Sequence, residues 1–486
     1  MKDAYTIRVN LKGGIVSVGE LKSILTVLKT AQISEVSFGL RQQLIFHLPH
    51  SRSVYLGSEL SKMNRSYEVD TNLRPNIVSS YVAEEVFQKG NWITEGIYKD
   101  ILDSFDYDPT LKVNISDNSQ SFTPFFSGHL NFVSSNEPNF WYCYLRKPKT
   151  NEVHVYSKLI FTNEIVHLSK FVENRLIENP ALPVSEIFDS IPDMISVPNE
   201  KELKLPKFTL PYYEGFNRYG KKTWLGIYQR NEQFTTDFLL ELCELALASK
   251  IGELCLTPWK SIIVKGIGEV DRPYWSAILA KHNINVRHAA NELNWQVEDA
   301  SEDALKLKKQ LVENFNKLDI RTFGICFGIK TIPKTEVFAS IMVRRRRFKL
   351  FNFIPTFFVY DISYTEDFDP NGRTKVYFSK GVQRFNLPEQ LRRSVLLYNE
   401  NYLGKVREKP ISESKNTKKS KPETIEVHQC PSCLSVYDSR FGDNLAGIPA
   451  GITFENLPNE YECGVCEEPK SNFKVIIVED LVKTTV

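Results

Sequence analysis

The sequence lacks several features that would place it in a class at once. It has no excess of charge, with 61 lysines and arginines against 59 aspartates and glutamates, so its electrostatics do not point to nucleic acid. Its most apolar stretch, residues 351–360, is too short to span a bilayer and contains Pro355. The N-terminal residues show no apolar signal-peptide core. We therefore expect a cytoplasmic protein with neither a nucleic-acid nor a membrane partner.

Cysteine is also scarce, with eight in 486 residues. Four of them stand singly in apolar runs, which predicts buried small side chains in a reducing compartment: Cys143, Cys243, Cys255 and Cys326. The other four form two C-x-x-C pairs separated by 29 residues: Cys430, Cys433, Cys463 and Cys466. Two such pairs can converge on one tetrahedral iron or zinc ion, and the spacing alone does not choose between the metals.

The segment around the pairs is glycine-rich, and four aromatic residues supply it with a small core: Tyr437, Phe454, Tyr461 and Phe473. Its motifs CPxC, YDxxxGD, FExLP and CxxCxxPK closely resemble those of rubredoxin over residues 427–476. The resemblance implies one iron centre that carries single electrons, with the four paired cysteines as ligands and Cys433 and Cys466 nearer the surface. Rubredoxins usually have glycine after the second cysteine of each pair, whereas Leu434 and Glu467 stand here.

The first 270 residues contain an internal repeat. Apolar residues recur at a constant offset of 218, as in Ile7 and Leu225, Ile24 and Leu242, and Leu44 and Ile262. The pattern of each copy predicts a β-α-β-β unit. Further strands and helices follow each copy, which predicts an α/β (α+β) body with mixed sheets and two pseudo-symmetric halves, residues 1–200 and 207–403.

The body resembles the siroheme nitrite and sulfite reductases, with their duplicated ferredoxin-like half-domains. The likeness rests on SFGLRQQL at 37–44, LCLTPWK at 254–260, RPNIV at 74–78 and LNFV at 130–133. That family ligates a four-iron cluster, and siroheme through it, by C-x5-C and C-x3-C pairs. The second half has no such pair, so we expect no 4Fe-4S cluster and a body that does not catalyse the family's reaction. His288 stands where the first pair would fall, and a hydrogen-bonded structural role is the interpretation we favour for it.

Basic residues are the candidates for binding an oxyanion or a tetrapyrrole carboxylate. The resemblance points to Arg41, Arg74 and Lys112. A second basic run, residues 344–347, consists of four arginines. In a strand it would send two side chains to each face, and we interpret it as a solvated edge strand.

Residues 404–426 are rich in Lys, Ser, Glu and Pro and predict a flexible basic linker, followed by the rubredoxin domain at 427–478. Three hypotheses follow. The favoured one is a rubredoxin-type electron carrier on a non-catalytic scaffold, serving a redox partner protein, a reductase or an electron donor, in nitrite or sulfite assimilation. The alternatives are a reductase whose body binds siroheme or another tetrapyrrole and is supplied with electrons by the rubredoxin, and a structural zinc protein.

Overall fold

The computed structural model describes residues 4–63, 66–87, 92–332, 336–350, 354–407, 424–443 and 446–479. The chain divides into two compact units, Met1–Tyr398 and Asn399–Val486. Over the described ranges, every helix is too short or too polar to cross a membrane.

The strands and helices of the first half of the body are β1 (Ala4–Asn10), β2 (Ile15–Ser17), α1 (Val18–Thr30), β3 (Glu35–Phe38), β4 (Gln43–Pro49), α2 (Ser53–Lys62), β5 (Tyr67–Val69), β6 (Val78–Ser79), α3 (Glu95–Ser104), β7 (Val113–Ser116), β8 (Leu130–Ser134), β9 (Phe140–Leu145), β10 (His154–Val155), β11 (Lys158–Phe161), α4 (Ile165–Glu178), α5 (Val184–Asp189) and β12 (Ser196–Pro198). Those that follow are β13 (Gly215–Tyr219), β14 (Lys222–Ile227), β15 (Gln233–Thr235), α6 (Thr236–Ala248), β16 (Glu253–Leu256), β17 (Ile262–Ile267), α7 (Arg272–Lys281), α8 (Ala290–Leu293), β18 (Trp295–Val297), α9 (Glu302–Lys317), β19 (Phe327–Lys330), β20 (Ile341–Leu350), β21 (Ile354–Thr365), β22 (Lys375–Val382) and α10 (Leu387–Arg407).

The internal repeat is confirmed by the elements that it predicts. Helices α1 and α6 begin 218 residues apart, at Val18 and Thr236, and they pack against each other. Both have an N-cap hydroxyl that accepts a hydrogen bond from a backbone N–H, Ser17 from Glu20 and Thr235 from Phe238. The buried faces of both helices belong to one core shared by the two copies. The body is therefore a duplicated mixed α/β structure, as expected.

The two copies exchange a strand. One sheet has the order β15-β3-β4-β1-β5 and the other the order β13-β14-β17-β16-β2. Thus β15 of the second copy pairs with β3 of the first, and β2 of the first pairs with β16 of the second, both antiparallel. Each copy completes the other's sheet.

Two larger sheets follow the repeated units. The first runs β12-β11-β9-β8-β7-β6, with β10 on β9, and the second runs β18-β19-β20-β21-β22. In both, three neighbouring strands are parallel, β6-β7-β8 and β18-β19-β20, and the remaining pairs are antiparallel. Buried residues of both sheets, such as Phe132 and Met342, meet in one core.

The four-arginine run lies in β20, and the expectation of an edge strand is wrong. Strand β20 lies between β19 and β21. It is longer than β19, however, whose pairing with it ends at Lys330 and Arg344. Beyond that point β20 pairs only with β21 among the described residues, and there Arg346 binds Asp361 at 2.8 Å and Arg345 stacks on Phe358. The run is solvated on one edge because its neighbour stops, not because the strand is outermost.

A buried charge network joins loops of the second copy to α9. The Glu232 carboxylate lies 2.6 Å from Lys260 Nζ and 3.4 Å from Lys308 Nζ, and all three residues are at most 5% exposed. Lys260 also lies 3.4 Å from Asp299, which accepts a hydrogen bond from the backbone N–H of Leu40 in the first copy. The pKa of Glu232 is below its ordinary value: burial opposes this shift, but the two ammonium groups outweigh it.

The C-terminal unit has a small antiparallel sheet of order β24-β23-β25, formed by β23 (Thr424–Gln429), β24 (Val436–Tyr437) and β25 (Lys474–Glu479). The predicted linker, 404–426, overlaps the end of α10 and the start of β23. Its central part, residues 408–423, lies outside the described residues, so the linker and the domain bounds remain predictions.

Candidate metal centre and a cationic pocket

The first C-x-x-C pair forms a tight turn at the end of β23. The backbone N–H of Leu434 donates to Cys430 O at 3.0 Å, and Cys430 N–H donates to Ser435 O at 2.8 Å. Leu434 has a φ of 62°, in the left-handed region where an L-residue is strained by about 1–2 kcal/mol. This is the position where the sequence departs from the glycine usual in rubredoxins.

The second pair repeats this geometry. Glu467 N–H donates to Cys463 O at 2.8 Å, Cys463 N–H donates to Glu468 O at 2.9 Å, and Glu467 has a φ of 64°. The two turns have the same hydrogen bonds and the same left-handed position, although neither has glycine at that position. Both therefore turn their cysteine side chains toward one point.

The four sulfurs form a compact group. All four Sγ atoms lie within 4.8 Å of one another, with Cys430 and Cys466 3.4 Å apart and Cys433 and Cys463 3.6 Å apart. A tetrahedral thiolate site with metal–sulfur bonds of roughly 2.3 Å has an edge of about 3.8 Å. The donor set and its spacing thus fit one iron or zinc ion.

The exposure of the ligand cysteines divides them into an inner and an outer pair. Cys430 and Cys463 are buried, Cys433 is half-buried and Cys466 is exposed. The outer pair is the one that the resemblance places nearer the surface. Two exposed apolar side chains, Leu434 and Val465, flank it. This side of the group is accessible to another molecule.

Hydrogen bonds polarise the outer thiol of the first turn. The pKa of Cys433 is lowered to about 6, chiefly by a hydrogen bond from the Ser435 hydroxyl and also by the backbone N–H of Ser435. Ser435 Oγ lies 3.1 Å from Cys433 Sγ. A thiolate is the form that binds metal, so these hydrogen bonds favour the ligand form of Cys433.

The predicted aromatic core is present. Tyr437 and Tyr461 are buried with Leu457, and Phe454 and Phe473 pack against them. The tyrosine hydroxyls donate to Ile452 O at 2.8 Å and to Asp443 at 2.7 Å, so neither buried phenol is left without a partner. This aromatic core stabilises the domain that carries the two cysteine turns.

In the body, the single cysteines are buried as predicted. Burial raises the pKa of Cys143, Cys243, Cys255 and Cys326 to about 12. The described residues include one group of three or more close metal-ligand side chains, and it is that of the paired cysteines. His288 donates to and is oriented by Glu214, with Nδ1 and Oε1 2.6 Å apart, consistent with the structural role favoured for it. These residues do not fit a four-iron cluster.

Of the three predicted anion-binding residues, the structure brings Arg41 and Lys112 to one carboxylate. Arg41 is 1% exposed, and its guanidinium donates to Asn76 O, Val113 O and the Asn114 side chain. Arg74 is exposed, and its backbone is fixed by Glu68 and Asn10. Lys112 forms an ion pair with Glu336, which also lies 4.0 Å from Arg41. Arg41 and Lys112 thus meet at Glu336.

Lys112 lines a cavity of about 580 Å³ between the two larger sheets of the body. Six cationic side chains line it against one acid, Glu336: Lys112, Arg146, Lys149, Lys330, Arg373 and Lys375. Arg146 is held in place by three backbone carbonyls, those of Gly128, Thr150 and Ser127. We call this cavity the cationic pocket.

Burial, and to a smaller extent neighbouring cations, lower the pKa values of several groups in the cationic pocket. The pKa of Arg373 is lowered to about 10 by burial and by Arg146, and its Nε is buried with no partner among the described residues. The pKa values of Lys330 and Lys375 are lowered by burial and by neighbouring cations. His129 has its pKa lowered to about 3 by burial and then by Arg146, so it is neutral. Sequence patterns gave no signal for these residues, which come from segments that lie far apart in the sequence.

Together, the fold and the four sulfurs define a small cysteine-based metal domain in the same chain as a duplicated α/β body. Residues 427–473 match the Rubredoxin family model. Over 48 residues, 10% of this chain and 70% of the relative, the chain is 44% identical to a protein described as probable rubredoxin HupI of Bradyrhizobium diazoefficiens. It is 38% identical to Rubredoxin-2 of Chlorobaculum tepidum over 52 residues, 11% of this chain and all of that relative. Through its C-terminal domain, the chain belongs to the rubredoxin family.

The body is similar to a solved structure. The NirA protein of Mycobacterium tuberculosis superposes with a TM-score of 0.59 at 12% identity, covering 84% of this chain and 82% of that one. This likeness confirms the predicted nitrite/sulfite reductase-like fold of the body. At this identity it shows the fold alone.

Proposed function

We propose that the C-terminal domain holds one iron ion through Cys430, Cys433, Cys463 and Cys466 and carries single electrons for a partner oxidoreductase. The observation that carries the proposal is the convergence of the four sulfurs within 4.8 Å, in a domain of the rubredoxin family. When bound in this set of thiolates, iron exchanges one electron between its ferric and ferrous states.

The four ligand cysteines of this centre differ in their exposure to solvent. Cys430 and Cys463 anchor it in the aromatic core, and Cys433 and Cys466 bring two sulfurs to the surface. Leu434 and Val465 are exposed apolar side chains beside these two sulfurs, and a partner protein that packs on them displaces water from the contact. The arrangement suits brief contact with another redox protein.

Iron must be distinguished from zinc, because four thiolates bind both. The test is an absorption spectrum and a metal analysis of the same purified sample of the full chain. We expect one iron per chain, with visible charge-transfer bands that are lost in Cys433→Ser and retained in the matched control Cys326→Ser. A colourless protein that holds zinc and refuses iron on reconstitution would overturn the proposal and favour a structural zinc site.

For the body we propose a scaffold without catalysis of its own, serving a reductase of nitrite or sulfite assimilation. The absence of paired cysteines in the body sequence supports this. The test is a Soret band in protein purified from cells that make siroheme. Such a band, together with turnover of nitrite or sulfite, would support the alternative in which the body is a reductase supplied with electrons by the rubredoxin domain.

A second candidate function for the body rests on the cationic pocket. Six cations facing one carboxylate are destabilised by their own repulsion, so an anion that enters the pocket relieves it. The ligand class is a small oxyanion or the carboxylates of a tetrapyrrole. Sulfite, nitrite and siroheme are the probes, and binding raises the melting temperature through mass action. The rise should be lost in Arg373→Ala and kept in Lys306→Ala, whose side chain is 71% exposed on α9.

A further inference from the structure

Ser435 makes contacts with the ligand sulfurs that the cysteine pattern does not predict. Its Oγ lies 3.1 Å from Cys433 Sγ and 3.1 Å from Cys463 Sγ. One hydroxyl therefore reaches one sulfur of each C-x-x-C pair. Cys463 is 3% exposed, so this contact supplies a donor to a sulfur that water scarcely reaches.

The backbone holds the Ser435 side chain in this place. Its carbonyl accepts a hydrogen bond from Cys430 N–H, and the next residue, Val436, is paired with Gln429 of β23. The left-handed Leu434 precedes it and reverses the chain. The hydroxyl is thus fixed on both sides by the turn and by the sheet, and points back at the sulfurs.

A hydrogen bond to a thiolate is stronger when the thiolate carries more negative charge. A one-electron donor that reduces the loaded centre loses one electron, and the four thiolates then share one more negative charge. A hydroxyl donor stabilises that state more than the oxidised one, which shifts the equilibrium toward reduction.

We propose that the Ser435 hydroxyl, by donating its one proton to the Cys433 or the Cys463 thiolate, both 3.1 Å from its Oγ, raises the reduction potential of this centre above the value that the backbone donors alone would give. Ser435 is a positioning and tuning residue, since it acts through the ligands. The inference rests on the proposed iron site, and it adds a side-chain donor to the residues that determine which partners can reduce the centre.

The experiment measures the midpoint potential and the visible spectrum of the iron-loaded full chain. In Ser435→Ala, at equilibrium with a fixed electron donor, we expect the ratio of reduced to oxidised centre to fall by about threefold to tenfold. A tenfold change corresponds to 59 mV for a one-electron couple. The charge-transfer bands should move to longer wavelength, because a thiolate without its donor gives up electron density more readily.

Two variants control the comparison. Ser435→Thr keeps the hydroxyl and should restore both readouts. Ser432→Ala removes a hydroxyl from the same turn, one that binds Glu468 at 2.5 Å instead of a sulfur, and should change neither.

The inference is overturned if Ser435→Ala binds iron with an unchanged potential and unchanged bands. If that variant does not hold iron, Ser435→Gly, which lacks the hydroxyl and adds no bulk, repeats the comparison, and an unchanged potential there has the same meaning. A wild-type chain that cannot be loaded with iron would instead refute the proposed function, so the two failures are distinguishable.

Discussion

Replacing Glu232 with glutamine should destabilise the body more than any exposed charge substitution. The carboxylate lies between Lys260 and Lys308, at 2.6 and 3.4 Å, and the three side chains are at most 6% exposed. Glutamine keeps the shape and can still accept a hydrogen bond. What it removes is the one negative charge that both buried ammonium groups contact.

The magnitude follows from the desolvation of the two lysines. Removing one partner of a buried ion pair leaves an uncompensated charge and costs about 3–5 kcal/mol. Asp299, 3.4 Å from Lys260, compensates one lysine in part, and Lys308 also donates to the Tyr228 hydroxyl at 2.6 Å. We therefore expect a loss near the lower figure, about 3 kcal/mol.

The assay is equilibrium unfolding of the full chain in urea, followed by tryptophan fluorescence. Glu302→Gln is the matched control, because it breaks an exposed pair with Lys306 at 3.1 Å, with side chains 86% and 71% exposed. The control should lose less than about 1 kcal/mol. If Glu232→Gln loses no more than the control, the buried network does not stabilise the body and the reasoning fails.

Three further predictions follow from the same geometry. Leu434→Gly should stabilise the metal-loaded C-terminal domain by up to about 1 kcal/mol, because glycine relieves the left-handed backbone strain and the leucine side chain it removes is 65% exposed. Leu434→Ala should give no such gain, and the urea concentration at which half of the visible absorption is lost compares the two variants. Folding lowers the pKa of Glu232, so the stability that this carboxylate contributes should be fully present above its ordinary pKa of about 4.3. It should be lost as the pH falls through the lower pKa of the folded state. Unfolding curves measured across that pH range would contradict this if Glu232→Gln lost as much stability in acid as the wild type. Gly226→Ala should destabilise the body by about 3 kcal/mol, since its Cβ would lie 2.0 Å from Tyr213 O, whereas Gly252→Ala, with nothing within 4 Å, should be tolerated.

The parts of the fold that were predictable are those whose signal is local. Helices α1 and α6 follow from apolar spacing and their common offset, and the C-terminal core follows from aromatics placed between cysteine pairs. Residues 322–329 favour one strand by their composition, yet β19 begins only at Phe327. The Asn294 amide donates to Thr322 O and Ile325 O and holds that approach as a loop. The Asn294 side chain, which is 28 residues from Thr322 and 31 from Ile325 in sequence, thus overrides the strand preference of this segment.

The parts that could not be predicted depend on non-local pairing. The four-arginine run was placed on an edge because alternation says nothing about which strands lie beside it. The cationic pocket combines Arg146 with Lys330 and Arg373, which share no spacing. Arg41 stood out through a family motif, yet in the structure it bonds to backbone carbonyls. Ser435 went unnoticed because a serine beside a ligand cysteine is unremarkable until its distance to sulfur is known.

The strand exchange between the copies has a consequence for how such a body could arise and be divided. A gene for one copy alone would encode a sheet that lacks its outer strand and a spare strand with no sheet to join. Two such chains could pair as a homodimer, in which β2 of each chain joins the sheet of the other chain beside its β3. In the present chain both copies lie in one polypeptide, so the same strand exchange is internal. Cutting the chain between the halves should therefore yield fragments that associate when mixed and that expose unpaired sheet edges when kept apart.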